Sequence, residues 1–204
     1  MGNYVPHIPE WFDTRKAAQV AAFFAIKGDG RINILRATKL IYLADRQSME
    51  EREFPITGDE YVSMPFGPVN SHTYSYMSGA APVRQGDWAE YISPRRNNDL
   101  YLSQHVEVED LDQLSRGDIR LLEETWEKFK DIGDQFELAE WTHRFCPEWR
   151  DPNGSSIPIN VATVYKLLGK NDPIELAEQL QADRGLALSL GGSPYAPEIQ
   201  ADNY

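Results

Sequence analysis

The chain has 204 residues, a formal net charge of −12 and a hydrophobic content of 41%. This length and apolar content fit one domain with a real core and exclude wholesale disorder. No run of about 18 apolar residues occurs, which argues against a membrane span, and the N-terminal stretch lacks the charged start and apolar core of a secretion signal. A single cysteine leaves no internal disulfide. We therefore expect a cytoplasmic protein with no membrane partner.

The negative charge is concentrated in one part of the chain. Between Glu107 and Glu140 there are 12 acidic and 4 basic residues. Such a surface repels nucleic acid and favours a basic protein partner. A solvated helical face that only aids solubility would have the same composition, so the charge alone leaves both interpretations open.

Before the centre of the chain, an irregular lead-in over residues 1–12 is followed by a helix. Asp13 or Thr14 is suited to cap this helix, which we expect to run to about Ile26. Gly28 and Gly30 end it. Its alanines permit close approach to a neighbouring helix.

Residues 31–70 organise the rest of the fold. Their first half predicts a central, mostly buried helix with Asn33 as its cap and with apolar residues on one side, namely Ile34, Leu35, Thr38, Ile41 and Tyr42. Asp45 falls within the apolar arc, and a buried carboxylate is costly unless it is hydrogen-bonded or paired. We expect it to accept from the first N–H groups of a second short helix, one that begins at Gly67-Pro68 and runs to about Met77.

Short strands are expected on either side of that second helix. Tyr61, Val62 and Met64 form one strand candidate, which Pro65 interrupts. Residues 88–92 and 100–102 are expected to form a β-hairpin around a polar turn at 94–99.

The C-terminal half predicts four helices. Ser115 with Asp118 forms a capping pair for the first, which continues to about Ile132. The others are expected over 136–145 with Asp134 as cap, from Ser156 or Pro158 to Leu168, and from Asp172 to about Leu186. The fold class is therefore α+β and mostly helical, with a central buried helix, surrounding helices and a small antiparallel sheet. We assign residues 1–170 to one domain and 171–204 to a C-terminal helix with a flexible tail from 191.

Few residues suggest catalysis or cofactor binding. His143 and Cys146 form a possible thiol–imidazole nucleophile, with Glu140 and His105 as helpers. Against this, no glycine-flanked nucleophile turn is present, and cysteine is common as a small buried hydrophobe. One cysteine and four scattered histidines do not supply metal-ligand spacing, and no phosphate or dinucleotide fingerprint occurs. We expect no cofactor and no metal.

A small basic patch lies in the predicted hairpin, where Arg95 and Arg96 accompany Trp88, Tyr91 and Tyr101. It suits nucleic acid, an acidic spot on a partner protein, or a plain solvated turn. Two arginines in a chain of charge −12 argue against nucleic acid.

Three segments together carry a family resemblance: Lys-Leu-Ile-Tyr-Leu-Ala-Asp-Arg at 39–46, Phe-Pro-Ile-Thr-Gly at 54–58 and Phe-Gly-Pro-Val at 66–69. They resemble the Panacea domain of SocA-like antitoxins, which belong to bacterial and phage toxin–antitoxin operons. The resemblance covers about residues 14–168. It implies a non-enzymatic protein that binds a co-encoded protein toxin, such as an alarmone-synthetase-like toxin, and blocks its active surface. One branch of the family instead delivers the toxin to a protease, and the chain lacks the basic helix-turn-helix that some members add.

These arguments give two groups of predicted site residues. The structural motif comprises Tyr42, Asp45, Gly67, Pro68 and Val69. The predicted partner-binding residues are Tyr61, Met64, Tyr74 and Tyr76, together with Glu123, Glu127 and Asp131 of the acidic helix. Phe66 is expected to pack in the core instead. Two alternatives to direct neutralisation remain, a proteolytic adaptor and a Cys/His hydrolase, and a phage-encoded host-interaction protein is a variant of the binding hypothesis.

Overall fold

The computed structural model describes residues 6–83 and 87–190. Within them lie eight helices: α1 Thr14–Lys27, α2 Ile34–Arg52, α3 Ser71–Met77, α4 Trp88–Tyr91, α5 Arg116–Phe129, α6 Gln135–Phe145, α7 Val161–Leu167 and α8 Pro173–Leu190. The strands are β1 Arg31–Asn33, β2 Tyr61–Met64, β3 Gly67–Asn70, β4 Asp99–Tyr101 and β5 Ile157–Pro158. The predicted mostly helical α+β class is confirmed. Along these ranges, no helix has the length and apolar character needed to cross a membrane.

Helix α2 is the central element, as predicted. The Asn33 side chain caps it by accepting from the backbone N–H of Leu35 at 3.0 Å. Helices α1, α5 and α6 and strand β3 all pack against α2. Burial extends nearly all round its first three turns, which explains why its apolar arc is wider than that of a surface helix.

Helix α1 lies against α2 through small side chains. Asp13 caps α1 by accepting from the N–H of Lys16 at 2.8 Å. The alanines of the helix, Ala17, Ala18, Ala21, Ala22 and Ala25, are all fully buried. Because an alanine adds little beyond the backbone, the two helices pack closely.

Strands β2 and β3 form an antiparallel hairpin, in which Tyr61 pairs with Asn70 and Met64 with Gly67. The β2 prediction is confirmed, but the helix predicted from Pro68 is wrong at its start. Residues Gly67–Asn70 are a strand, and the helix begins only at Ser71. Strand β3 is an edge of the three-stranded sheet, where the missing N–H of a proline breaks no ladder hydrogen bond.

The predicted pairing of residues 88–92 with residues 100–102 as a hairpin is also wrong. Trp88–Tyr91 is a short helix, and β4 pairs with β1, some 66 residues earlier in the chain. Only an isolated bridge joins Ile92 to Leu102. Trp88 and Tyr91 are both buried, and their spacing of three places them on one face of a helical turn.

The predicted capping pair of α5 is confirmed, and so is Asp134 as the cap of α6. Ser115 and Asp118 each accept from the backbone N–H of the other, at 3.1 and 3.0 Å. Asp134 accepts from the N–H of Phe136 at 2.8 Å. Helix α7 begins later than predicted, with Asn160 as its cap, because Ile157–Pro158 pairs with β2 as strand β5.

Helix α8 is attached to the body through a charged side chain. The Arg184 guanidinium is buried and donates to the carbonyl oxygens of Gly58, at 2.9 Å, and Asp59, at 2.8 Å. It also lies 4.4 Å from the ring centroid of Trp11. The tail predicted to be flexible, residues 191–204, lies outside the described residues.

Candidate functional site

The buried carboxylate of Asp45 organises the segment that follows α2. It accepts from the backbone N–H and the hydroxyl of Thr57, from the Tyr61 hydroxyl at 3.0 Å and from the Asn70 amide at 2.8 Å. The prediction that it is hydrogen-bonded is therefore correct, but the predicted recipient, a helix at Gly67-Pro68, is wrong. Burial raises the pKa of Asp45 to about 6, although the hydrogen bonds from Thr57 and Tyr61 oppose this rise.

The helix-capping role expected of Asp45 belongs to Asp59 instead. Its carboxylate is buried and accepts from the N–H of His72 at 3.0 Å, and from the N–H and hydroxyl of Thr73 at 2.8 and 2.7 Å. Burial raises its pKa above the ordinary value. Both carboxylates hold the loop between α2 and β2. Asp45 links it to β2 and β3, and Asp59 links it to α3. Sequence reasoning missed Asp59 because the helix that it caps begins 12 residues later.

Lys39 holds the hairpin turn against α2. Its ammonium is buried and donates to the Pro68 carbonyl at 2.8 Å. Burial lowers its pKa to about 7. A Cβ atom on Gly67 would stand 2.5 Å from the Thr142 hydroxyl oxygen and 3.1 Å from the Lys39 ammonium nitrogen, and the φ of Gly67 is +104°. Only glycine therefore fits there, and Val69 is buried beside it.

Tyr42 links α2 to the segment after α6. Its hydroxyl donates to Glu148 at 2.6 Å, and the same carboxylate oxygen accepts from Arg46 at 2.8 Å. Tyr42 and Glu148 are both buried. Glu148 was missed because nothing in the sequence signals which residue, 106 positions away, pairs with Tyr42.

An apolar surface with acidic edges lies along the outer side of α6. Phe136 and Phe145 are 50% and 54% exposed, and Trp141 between them lies 4.6 Å from Phe145, centroid to centroid. A groove of about 490 Å³ runs beside these rings. We call this the aromatic–acidic face and define it as Phe136, Trp141 and Phe145 with Asp134, Glu137 and Glu140. Arg144 also lines the groove, where the three carboxylates outnumber it. Sequence reasoning missed it because α6 was treated as an ordinary helix.

The predicted thiol–imidazole pair is not poised for nucleophilic chemistry. Cys146 is fully buried, and burial raises the pKa of its thiol to about 12, which disfavours the reactive thiolate. Burial also lowers the pKa of His143, whose ring stacks on Trp149 at 3.9 Å. Over residues 6–83 and 87–190, no group of three or more His, Cys, Asp or Glu side chains is arranged to hold a metal ion.

Comparison with known proteins identifies the family of the chain. A family model described as "Antitoxin SocA-like, Panacea domain" matches residues 38–150, more than half of the chain. The chain belongs to the SocA-like antitoxin family. Neither the curated proteins nor the solved structures that were searched contain a match. The Panacea match takes in Lys39, Asp45, Asp59 and Glu148 together with all of α6, whereas α1, α7 and α8 lie outside it.

The aromatic residues predicted to bind a partner of this Panacea protein divide into two pairs. Tyr61 is only 3% exposed and its hydroxyl is bound to Asp45, while Tyr76 is buried and stacks between Phe12 and Trp88. Both therefore belong to the core, and the prediction that they contact a partner at the surface is wrong. Met64 and Tyr74 are half-buried, and both line a cleft beside the start of α2.

The acidic residues predicted to bind a partner, on α5 and just after it, are more accessible than Tyr61 and Tyr76. Glu123 is paired with Lys27 at 2.7 Å and Glu127 with Lys130 at 2.6 Å. Asp131 is exposed. Phe66, expected in the core of the Panacea domain, is 55% exposed and contacts Phe136 edge-to-face at 5.9 Å. That expectation was wrong because the β2–β3 turn places Phe66 at its tip.

Proposed function

We propose that the chain is a cytoplasmic antitoxin that binds a co-encoded small protein toxin and covers the toxin's active surface. Membership of the SocA-like family supports the general role. The observation that carries the binding mode is the aromatic–acidic face. Two half-exposed phenylalanines that line one groove together with a tryptophan are typical of a protein-binding surface.

The chemistry of this face defines the partner surface. Its rings require an apolar counterpart, and its rim of Asp134, Glu137 and Glu140 requires basic residues around that counterpart. Asp131, one of the predicted contact residues, lies just before this rim and extends the negative charge. Because the whole chain carries −12, a basic toxin would also be attracted over a distance, more strongly at low salt.

The proposal includes no catalytic step by this chain. The buried Cys146 thiol, with its raised pKa, does not favour the hydrolase alternative. The adaptor alternative, in which the antitoxin delivers the toxin to a protease, differs in one outcome, because it requires the toxin to disappear.

We also propose that residues 1–170 form the toxin-binding unit and that residues 171–204 support it. Helix α8 contacts the loop at Gly58 and Asp59 through Arg184, away from the aromatic–acidic face. A chain ended at residue 170 should therefore lose stability before it loses contact residues. Reduced thermal stability with an unchanged toxin affinity would support this division, and an unchanged stability with lost affinity would contradict it.

Growth rescue tests the main proposal. The small reading frame adjacent to this gene is induced alone in a bacterium and then together with this chain. Restored growth with a complex that co-purifies supports neutralisation by binding. Rescue without a complex, accompanied by loss of the toxin, favours the adaptor. A neighbour that does not affect growth contradicts the pairing.

Paired variants test the surface. Phe145→Ser should weaken the complex by at least about tenfold, since exposed aromatic anchors in interfaces often contribute 1–2 kcal/mol or more. Leu186→Ser is the matched control, because Leu186 is also 54% exposed but lies on α8. Glu137→Lys with Glu140→Lys should likewise weaken binding, compared with Glu175→Lys and Glu178→Lys on α8. Equal effects of test and control variants would remove the aromatic–acidic face from the proposal.

A further inference from the structure

A cleft of about 280 Å³ opens beside the start of α2. The turn between β2 and β3 forms one wall, and the first residues of α6 form another. Helix α3 and the loop before β4 close the remaining sides. Five separate segments of the chain therefore converge on this cleft.

The charges around the cleft are opposite to those of the chain as a whole. Lys39 and Arg95 both line it, and among the described residues its lining contains no carboxylate. Arg95 is exposed and makes no ion pair within the described part of the chain, whereas the Lys39 side chain is buried and has the Pro68 carbonyl as its partner. In a protein of net charge −12, a cleft with one exposed cation and no acid favours a negatively charged occupant.

The walls of the cleft are apolar and include aromatic rings. Phe66 and Phe136 meet edge-to-face at 5.9 Å and stay 55% and 50% exposed. Tyr74 of α3 lines the cleft as well. Rings that are left partly exposed inside a concave site offer stacking or edge contacts to a flat apolar group.

We propose that this cleft binds a small organic anion that carries one apolar ring. The ring would pack against Phe66 and Phe136, and the acid group would be held by Arg95, while the buried Lys39 side chain stands behind the wall of the cleft. The neutral amides of Asn98 and Gln135, which also line the cleft, supply further donors for the acid group. A volume of about 280 Å³ is at the small end of ligand sites, which suits a single ring with a short acidic arm.

This site is independent of the toxin-binding proposal, although Phe136 belongs to both surfaces. Arg95 is the stronger argument for a ligand, because it is exposed at the cleft and makes no ion pair within the described part of the chain. An anion in the cleft would compensate that charge. Binding is therefore measured on the antitoxin alone, so that its failure and a failure of toxin binding are separate results.

The probes are phenylacetate and phenyl phosphate, with phenylacetamide as the uncharged control. NMR spectra of the isotope-labelled full chain locate binding, and calorimetry measures affinity. We expect both acids to shift the resonances of Phe66, Phe136 and Tyr74 selectively, with the amide at least about tenfold weaker because the cations contribute on the order of 1.4 kcal/mol. No shift at these residues with either acid at millimolar concentration, or equal binding of the amide, would overturn the proposal.

Variants of the two cations complete the test. Arg95→Gln should reduce the affinity for phenylacetate about threefold to tenfold, as expected for one exposed charge. Arg144→Gln is the control, since Arg144 is an exposed arginine of α6 that does not line the cleft. Lys39→Met should reduce the affinity less than Arg95→Gln, because the Lys39 side chain is buried behind the wall of the cleft, and its folding is checked by thermal unfolding. Equal losses for Arg95→Gln and Arg144→Gln would mean that binding is only non-specific attraction.

Discussion

Thr57 donates both its backbone N–H and its hydroxyl to the carboxylate of Asp45, a residue of α2 that lies 12 positions earlier. Two bonds from one residue fix both the position of the loop and its direction. The same carboxylate then accepts from Tyr61 and Asn70, so the loop, β2 and β3 are all set by a single side chain of the central helix. The segment most typical of the Panacea domain is thus ordered from α2.

Replacement of Asp45 by alanine should unfold the protein before it removes any toxin contact. Four donors would lose their acceptor in a buried site, at a cost of about 3–5 kcal/mol. Urea unfolding measures this, with Asp131→Ala as an exposed control expected to stay within about 0.5 kcal/mol of the parent chain. A variant of Asp45 that keeps its stability but no longer neutralises a toxin would show that Asp45 contacts the partner.

Asp45 should titrate far above ordinary carboxyl groups. Its pKa in the folded chain is about 6, because burial disfavours the ionised form. A carboxyl whose pKa is raised by folding stabilises the fold fully below its unfolded pKa of about 4, and this contribution of roughly 3 kcal/mol is lost as the pH rises through 6. The difference in unfolding free energy between the parent chain and Asp45→Ala should therefore shrink from pH 5 to pH 7. A carbon-13 carboxyl titration of Asp45 with a midpoint below pH 4 would contradict this prediction.

Replacement of Lys39 by methionine should stabilise the protein at neutral pH. Burial lowers the pKa of Lys39 to about 7, so below that pH a buried charge must be kept. Methionine has similar volume and no charge, so it removes the cost of a buried ammonium, which we expect to exceed the cost of about 1–3 kcal/mol for leaving the Pro68 carbonyl without its donor. Because folding lowers this pKa, the stability of the parent chain rises with pH above 7, and the advantage of the variant should decrease by pH 9.

Urea midpoints at pH 7 and pH 9 test the Lys39 prediction. The facing titratable groups are His143 of α6 and Cys146, which follows the last residue of that helix. Neither is expected to titrate between these two values, since the pKa of the thiol is raised to about 12 and that of the imidazole is lowered. A constant difference between the variant and the parent chain would mean that Lys39 does not titrate in this range.

Phe66 and Phe24 should respond very differently to truncation. Phe66 is 55% exposed, so Phe66→Ala should change the unfolding free energy by less than about 1 kcal/mol. Phe24 is fully buried in α1, and Phe24→Ala should cost about 3–5 kcal/mol. Thermal unfolding of the two variants compares them directly. A large loss for Phe66→Ala would place its ring in the core after all.

The thiol of Cys146 should be inert in the folded protein. It is fully buried and its pKa is about 12, so a thiol reagent such as DTNB should react only as fast as the chain opens. Cys146→Ala should therefore keep the full ability to rescue growth, although it leaves a small cavity. Fast labelling under native conditions, or loss of rescue without loss of stability, would instead favour the hydrolase alternative.

The elements that were predicted correctly are those whose signals are local. Asn33, Ser115 and Asp134 each cap a helix within three residues of their own position, and the sequence states such pairs directly. The burial of α2 could also be predicted, because its apolar residues occur nearly all round the helix. The capping residues and the apolar pattern of one helix need no knowledge of the rest of the chain.

The errors concern partners that are distant in the chain. Strand β4 pairs with β1 and not with the adjacent segment, and Asp45 binds Thr57 instead of the helix that follows. Pro68 led to the prediction of a helix start, because the first turn of a helix tolerates a residue without an N–H. An edge strand tolerates such a residue as well, and Pro68 lies on one. The exposed rings of Phe66 and Phe136 were missed for a related reason, since apolar side chains are assigned to the core when no tertiary neighbours are known.

The contact of Arg184 with Asp59 has a consequence for how the protein is made. The two residues are separated by 125 positions. At the usual rate of synthesis of about 5–20 residues per second, the ribosome needs roughly 6–25 s to add the arginine after the loop has been made. During that time the carbonyl groups of Gly58 and Asp59 lack the donor that they have in the finished chain. A chain that is terminated before Arg184 would therefore contain the whole Panacea segment, residues 38–150, but lack the side chain that secures its loop.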